Sequence, residues 1–379
     1  MAFDQRKSSV SSDVGKNRVG GNASFLGSSK LSAFYFELVH EVESLELDDV
    51  GVAPAADARA FDVFKERVRL GYCAGMSYLT EHVEARRSPR SILPDARSLI
   101  VVALSESRLR DESRVATDAL FNAPELQPTR APCATRYGSV SGYATCLDYH
   151  DVLRKRLKAL GRFLHSRFPQ ASVRTAVDCA PLLEKYWAVE AGLGFCGLNS
   201  LTIHPRLGSR FFLGELVTSI PFEDLCGVST TEEYFKSLND ERIKRGERVF
   251  DKTQAMTTCL SCRRCVDACP TNALPGDRTL DARRCLNYWT IENRDEIPDD
   301  IARLLDGKLF GCDLCQRVCP HNAQVEAANP RELPLDAVER LDEDAFRRLF
   351  KKTPIFRAHV EGLKRVAEKL QRSGDSDQK

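Results

Sequence analysis

The chain has 379 residues, of which 42% are hydrophobic and 29% charged, with a formal net charge of +1. That length buries a real core and suggests two or three domains. The balanced charge excludes a global field drawing the chain to nucleic acid or membrane, and no stretch approaches the ~20 consecutive apolar residues of a membrane span.

In chain order, residues 1–30 are rich in Ser, Gly and Asn. They carry neither the apolar core of a signal peptide nor a twin arginine, so export is not expected and a disordered extension is. Phe34, Phe36, Leu38, Val39 and Val42 suggest an amphipathic helix over Leu31 to Leu47. Asp48 to Pro54 reads as a turn into a short strand, and Phe61 to Arg69 as a second helix. Ser98 to Leu104 is a continuous apolar run, the signature of a buried central strand. Residues 106–132 read as a long polar, Pro-rich loop. Leu153, Leu157, Leu160 and Leu164 mark one face of a helix from Asp151 to Phe168. Strands and tight glycine turns follow from Arg174 to Phe222, then a charged linker or inserted helix over 223–258, and a helical tail from Leu335 to Leu370.

Eight of the fourteen cysteines fall between Cys259 and Cys319. The first run is Cys259, Cys262, Cys265 and Cys269, followed by Pro270; the second is Cys312, Cys315 and Cys319, followed by Pro320, with Cys285 upstream. The first run matches the bacterial ferredoxin pattern, in which the fourth cysteine ligates the other cluster. That rule puts Cys259, Cys262, Cys265 and Cys319 on one [4Fe–4S] cluster, and Cys269, Cys312 and Cys315 on a second. Cys285, the remaining cysteine of the segment, completes the second set. Zinc fits poorly, because it takes closed sets usually built from two separated pairs. A disulfide framework is not expected in a chain read as having no secretory segment. Reduced thiols and the absence of an export signal point to the cytoplasm, with no membrane partner and a monomeric state.

The middle of the chain holds Val177-Asp178-Cys179-Ala180-Pro181, then Gly192-Leu193-Gly194, Gly197-Leu198-Asn199-Ser200 and Gly208-Ser209. Glycines this dense allow close backbone approach to something flat or bulky, yet nothing matches a phosphate loop or a dinucleotide fingerprint. Asp178 reads equally as a proton donor with a raised pKa and as the cap of a helix starting near Pro181. His150 reads as capping or packing at a helix start as readily as lying near a cofactor. Cys146, Cys179 and Cys196 read as buried free thiols; Cys73, Cys133 and Cys226 carry no pattern.

With these motifs stand Ala85-Arg86-Arg87-Ser88-Pro89, Leu147-Asp148-Tyr149-His150, Phe212-Leu213-Gly214-Glu215 and the cysteine set. Together, from about Asp49 to Leu370, they resemble the epoxyqueuosine reductases, cobalamin-dependent iron–sulfur enzymes of tRNA modification. The chain departs from the family pattern at Thr145-Cys146 and at Leu198. The resemblance implies an α+β fold. A nitroreductase-like cobalamin-binding domain would span 31–222, with a linker or insertion at 223–258. A ferredoxin-like double [4Fe–4S] module would span 259–326, and a short basic helical tail 327–379. It implies Asp178 as the proton donor. It also implies cobalamin contacts from Arg87, Tyr149 and Asp178, from Asn199, Ser200 and Thr202, and from Ser209, Phe212 and Leu213. The implied partners are tRNA carrying the modified base in its anticodon and an external low-potential electron donor.

From Ala345 to Arg372 the tail has nine Lys or Arg against two Glu. Arg347, Arg348, Lys351, Lys352, Arg357, Lys364 and Arg365 are candidate phosphate contacts, with a solvated helix face as the alternative. Two other functions remain open: a corrinoid iron–sulfur reductase of another substrate, as in the dehalogenases, and a ferredoxin-type electron carrier. The roughly 220 residues before the module argue against a mere carrier.

Overall fold

The computed structural model describes residues 30–129, 135–178, 180–249 and 252–376. The expected disordered extension and the readings of Cys133 and Cys179 lie outside the described residues. The strands, in chain order, are β1 (Asp49–Pro54), β2 (Ser98–Ser105), β3 (Tyr137–Val140), β4 (Val173–Ala176), β5 (Phe195–Cys196), β6 (Thr202–Ile203), β7 (Phe211–Thr218), β8 (Lys308–Phe310) and β9 (Arg331–Pro334).

The main sheet runs β1-β2-β7-β4, antiparallel throughout. The apolar run beginning at Ser98 is its interior strand β2, buried at every position. Alternation splits the strand side chains between two cores. Val50, Val52, Ile100, Val102 and Leu216 pack with Leu153, Leu157 and Leu160 of the helix Tyr149–Arg167. Leu99, Val101 and Val217 pack on the opposite face with Trp187 and Ala188 of the helix Glu184–Glu190. Helices on both faces thus bury the sheet, and the loops at its edges carry the site.

A second sheet, β8-β3-β9, joins residues far apart in sequence. Its side chains Val140, Leu309 and Leu333 share a core with Phe346, Phe350, Leu363 and Val366 of the tail. The tail is helical over Leu335–Arg340, Glu343–Phe350 and His359–Ser376.

The long loop expected over 106–132 is largely a helix, Glu106–Phe121, capped by the Ser105 hydroxyl. Its buried stripe is Leu109, Ser113, Thr117 and Phe121. The Ser113 and Thr117 hydroxyls donate to the carbonyls of Leu109 and Ser113, at 2.5 and 3.2 Å. Two buried positions are thus polar, satisfied within the helix, and the apolar period is hidden from a hydrophobicity reading.

Within 223–258 lies the helix Thr231–Lys244, which buries Tyr234, Leu238 and Arg242. Arg242 donates to Asp49 at 2.7 Å and to the Gly192 carbonyl at 2.8 Å. His204 meets the same Asp49 oxygen at 2.8 Å. Burial alone would push the Asp49 carboxyl up, but Arg242 and then His204 hold it well below the usual carboxylate range. Arg242→Met should therefore cost about 3–5 kcal/mol, because it strands a buried charge; urea unfolding measures it. The folded pKa of Asp49 lies below its unfolded value of ~4. The pairing then stabilises above that pH and is lost as pH falls, and Asp49→Asn should flatten this acid dependence of stability.

Candidate functional site

All eight cysteines of the module are free of disulfides. Cys259, Cys262, Cys265 and Cys319 line a single cavity with Leu198, Asn199 and Ile203. The other four lie within one another's electrostatic reach. Burial pushes the Cys285 thiol up to about 11, with Cys312 and Cys269 adding to it. Burial likewise raises Cys315, followed by Cys285 and Cys312. Cys315 is also within reach of Cys265 and Cys269. Buried thiols that repel one another as thiolates are a donor set suited to cationic iron, so the residues fit two cubane clusters. The Leu198 N–H points at the Cys259 sulfur at 3.3 Å, and the Ala273 N–H at Cys269 at 3.3 Å.

Asp178 stands at the centre of a second constellation, in the left-handed region at φ +54°. Non-glycine residues occupy that region at a cost, and Asp is among the few that tolerate it. It caps no helix: the helix Glu184–Glu190 starts behind Leu183 without a side-chain cap. Instead the Asp178 carboxyl accepts from the Tyr149 hydroxyl and pairs with His150 Nε2 at 3.2 Å. Its backbone N–H donates to Glu184 at 2.5 Å. Tyr149 stacks on Phe212, centroids 4.2 Å apart, and on His150 at 4.1 Å. His150 Nδ1 is held by Asp148 at 2.7 Å, and Asp148 also caps that helix. His150 thus packs at the helix start, one of the two readings open to it from sequence.

The protons of this group are distributed by its neighbours. Burial opposes ionisation of Asp178, but His150, Tyr149 and Glu184 together hold its carboxyl well below the usual range. Burial and then the Asp178 charge push Glu184 up to about 8. Burial lowers His150, yet Asp148 and Asp178 raise it to about 9. These neighbours favour the ionised form of Asp178 and the protonated forms of Glu184 and His150. Of the two carboxyls, Glu184 is the one pushed up, whereas the raised pKa that was one reading of Asp178 is reversed by its neighbours. Behind them Glu215, fully buried in β7, is held well above the usual range by burial and the charges of Glu184 and Asp178. Among the described residues neither of its oxygens has a partner.

The loop between β5 and β6 ties this constellation to the first cysteine group. Ser200 sits at φ +62°, and its carbonyl accepts from the buried Lys185 ammonium at 2.7 Å. The Thr202 hydroxyl donates to the Lys185 carbonyl at 3.4 Å. Asn199 lines the cysteine cavity, and its buried Nδ2 has no partner among the described residues. Leu198, where the chain departs from the family pattern it resembles, fills the wall of that cavity. Cys146, at the other departure, is buried, and burial pushes its thiol up to about 12.

Other expected contacts lie elsewhere. Arg87 pairs with Glu84 at 2.9 Å and covers the Phe61 ring at 4.1 Å, half-exposed. Ser209 joins the main sheet to the cysteine module, donating to Asn322 at 2.8 Å and Gln316 at 3.1 Å. Leu213 packs with the Trp187 core. Sequence reasoning passed over Glu184, Lys185 and Glu215, although Glu215 stands inside a quoted motif and the other two lie just after Pro181.

The tail cations divide. Arg357 pairs with Glu292 at 2.5 Å and lies 5.6 Å from the Tyr78 ring centroid. Its charge reaches Tyr143 and Tyr149, so it faces the Asp178 cleft. Arg365 is spent on the carbonyls of Arg294 and Asn293, at 3.1 and 2.6 Å. Arg347, Arg348, Lys351 and Lys352 line a groove against Ala116, Ala119 and Leu147. There Arg347 and Arg348 pair with Glu343 and Glu125, each at 3.1 Å.

Two family models match the sequence: Epoxyqueuosine reductase QueG over residues 86–179, and a 4Fe-4S double cluster binding domain over 258–322. The epoxyqueuosine reductase of Gloeobacter violaceus is 34% identical over 357 residues, covering 90% of this chain and 97% of that one. A crystal structure of epoxyqueuosine reductase with an epoxyqueuosine-modified tRNA-Tyr stem loop superposes at TM-score 0.71, with 27% identity, covering 89% of this chain and 80% of that one. The Bacillus subtilis epoxyqueuosine reductase, with its catalytic aspartate loop swung out of the active site, superposes at TM-score 0.66, with 27% identity, covering 89% of this chain and 81% of that one.

Cys285→Ser should remove the more irregularly spaced ligand of the second group. Iron and sulfide of the anaerobically reconstituted chain should fall by about half, with the first cluster retained; unchanged content would exclude Cys285 as a ligand.

Proposed function

This chain belongs to the epoxyqueuosine reductase family and is an oxidoreductase. From that premise we propose that it reduces epoxyqueuosine in tRNA to queuosine, using cobalamin and two [4Fe–4S] clusters. The overall change consumes two electrons and two protons, turning the epoxide into an alkene and water. The observation that carries the reading is the Asp178 hub: a carboxylate in a left-handed turn, flanked by two protonated groups, at an aromatic cleft.

The corrinoid belongs to the proposal, in a nitroreductase-like domain built on the main sheet. Among the described residues, buried polar atoms of Asn199 and Glu215 lack protein partners, as they would where the amide rim of a corrinoid supplies them. With Ser200, Thr202 and the stacked pair Tyr149 and Phe212 they would hold it. A bound corrinoid would supply the electron pair that opens the epoxide. The chain's own residues supply protons and orientation. Tyr149 and His150 fix the Asp178 carboxylate. His150 and Glu184 each hold a proton beside it, so Asp178 passes on what its neighbours store. Two stored protons match the two that the reaction consumes.

A tRNA partner is supported by the groove of Arg347, Arg348, Lys351 and Lys352, since phosphate contacts are mainly electrostatic. An external low-potential donor, a cytoplasmic location and a monomeric state complete the proposal. Among the described residues, no helix is long and apolar enough to cross a membrane.

Asp178→Asn should keep both clusters and the corrinoid yet slow turnover of epoxyqueuosine-containing tRNA at least ~100-fold; near-wild-type turnover would sink the role. Wild-type kcat should fall as pH rises through 8–9, because both raised groups lose their protons there. Glu184→Gln keeps the acceptor for the Asp178 N–H but stores no proton, so it should remove the part of that fall near pH 8. A pH profile unchanged by the substitution would exclude Glu184 as a source.

A further inference from the structure

The cavity of Cys259, Cys262, Cys265 and Cys319 is also lined by Arg263 and Arg264. Both arginines are exposed, and neither has an ion pair among the described residues. Arg263 sits at φ +49°, a conformation that favours glycine or asparagine and that an arginine adopts only under constraint. Between them and the preceding turn, Leu260 is 44% exposed, an unusual setting for a leucine beside a buried cysteine. A third exposed arginine, Arg248, acts on His321, another residue of the cavity wall. Asp267 is the only acidic residue between Cys259 and Cys269. The chain as a whole is close to neutral, at +1, so this is a local concentration of positive charge around an apolar contact. None of these side chains serves the Asp178 cleft.

Resting on the reading of those four cysteines as cluster ligands, we propose that Arg263, Arg264 and Leu260 form the docking surface for an acidic one-electron carrier protein. An apolar centre rimmed by arginine is the composition of a protein contact patch. Unpaired exposed cations raise the rate of encounter with an acidic partner and make it sensitive to salt. In each encounter one electron leaves the reduced carrier and enters the cluster, taking it from the +2 to the +1 state, with no proton moved. Two encounters supply the pair that the reaction consumes. The surface lies at the first cluster, whose ligand Cys259 touches the loop leading to the site, so electrons would enter on the side facing the chemistry.

The test is stopped-flow reduction of the holoenzyme by an acidic reduced [2Fe–2S] ferredoxin and, separately, by dithionite. Arg263→Gln with Arg264→Gln should lower the ferredoxin rate constant at low salt about tenfold and flatten its dependence on ionic strength. The dithionite rate and the iron content should stay at wild-type values. A ferredoxin rate and salt slope equal to wild type would overturn the proposal. So would an equal loss with dithionite, which would assign the arginines to the cluster itself, or a raised KM for tRNA with the ferredoxin rate intact, which would assign them to nucleic acid. A wild-type chain that takes up no iron would instead overturn the cluster reading on which the surface rests.

Discussion

The short loop between β5 and β6 is the constraint on which the rest of the site depends. At one end the Leu198 N–H meets the Cys259 sulfur at 3.3 Å. At the other the Ser200 carbonyl takes the Lys185 ammonium at 2.7 Å, and the residue before Lys185 is the Glu184 that holds Asp178. Gly194 makes the geometry possible: at φ +156° it lies so close to β6 that a Cβ would meet the Ile203 carbonyl at 2.1 Å. The first cysteine group and the Asp178 constellation are therefore bound to the same few residues. Movement of this loop would disturb both, which explains its burial and its two left-handed or glycine-dependent turns.

Around that loop the fold supplies rigid supports from distant parts of the chain. The main sheet delivers Phe212 and Glu215 from neighbouring positions of one strand, on opposite faces in the manner of β structure. The helix starting at Tyr149 presents Tyr149 and His150 in its first turn, where Asp148 both caps the helix and orients the imidazole. The tail returns to set Arg357 against Glu292 beside the same cleft. Ser209, Gln316 and Asn322 fasten the sheet to the cysteine module. Catalysis by this arrangement would rest on positioning and stored protons more than on any single unusual group.

Much of this was legible in the sequence where the determining contacts are local. Cysteine spacing is such a case, because a turn of fixed length brings Cys259, Cys262 and Cys265 to one cavity, which Cys319 joins. The amphipathic helices and the buried strand β2 were legible for the same reason. The helix Glu106–Phe121 was not, since Ser113 and Thr117 hide its buried face behind hydroxyls satisfied within the helix. Protonation was illegible too. An aspartate in an apolar stretch suggested a raised pKa, but the partners that lower it, Tyr149 and His150, lie about thirty residues away, and the raised groups are Glu184 and Glu215. Arg87 and Arg357 make the same point: only tertiary contacts distinguish a surface pair from a cation at the cleft.

The account joins one corrinoid and two clusters in a single unit, and metal content tests that most directly. The chain should be purified without oxygen, with cobalamin supplied, and analysed for iron and cobalt. The account predicts about eight irons and one cobalt per chain, in line with two four-iron clusters. Eight irons without cobalt would contradict it, leaving an electron-transfer module attached to a domain of some other use.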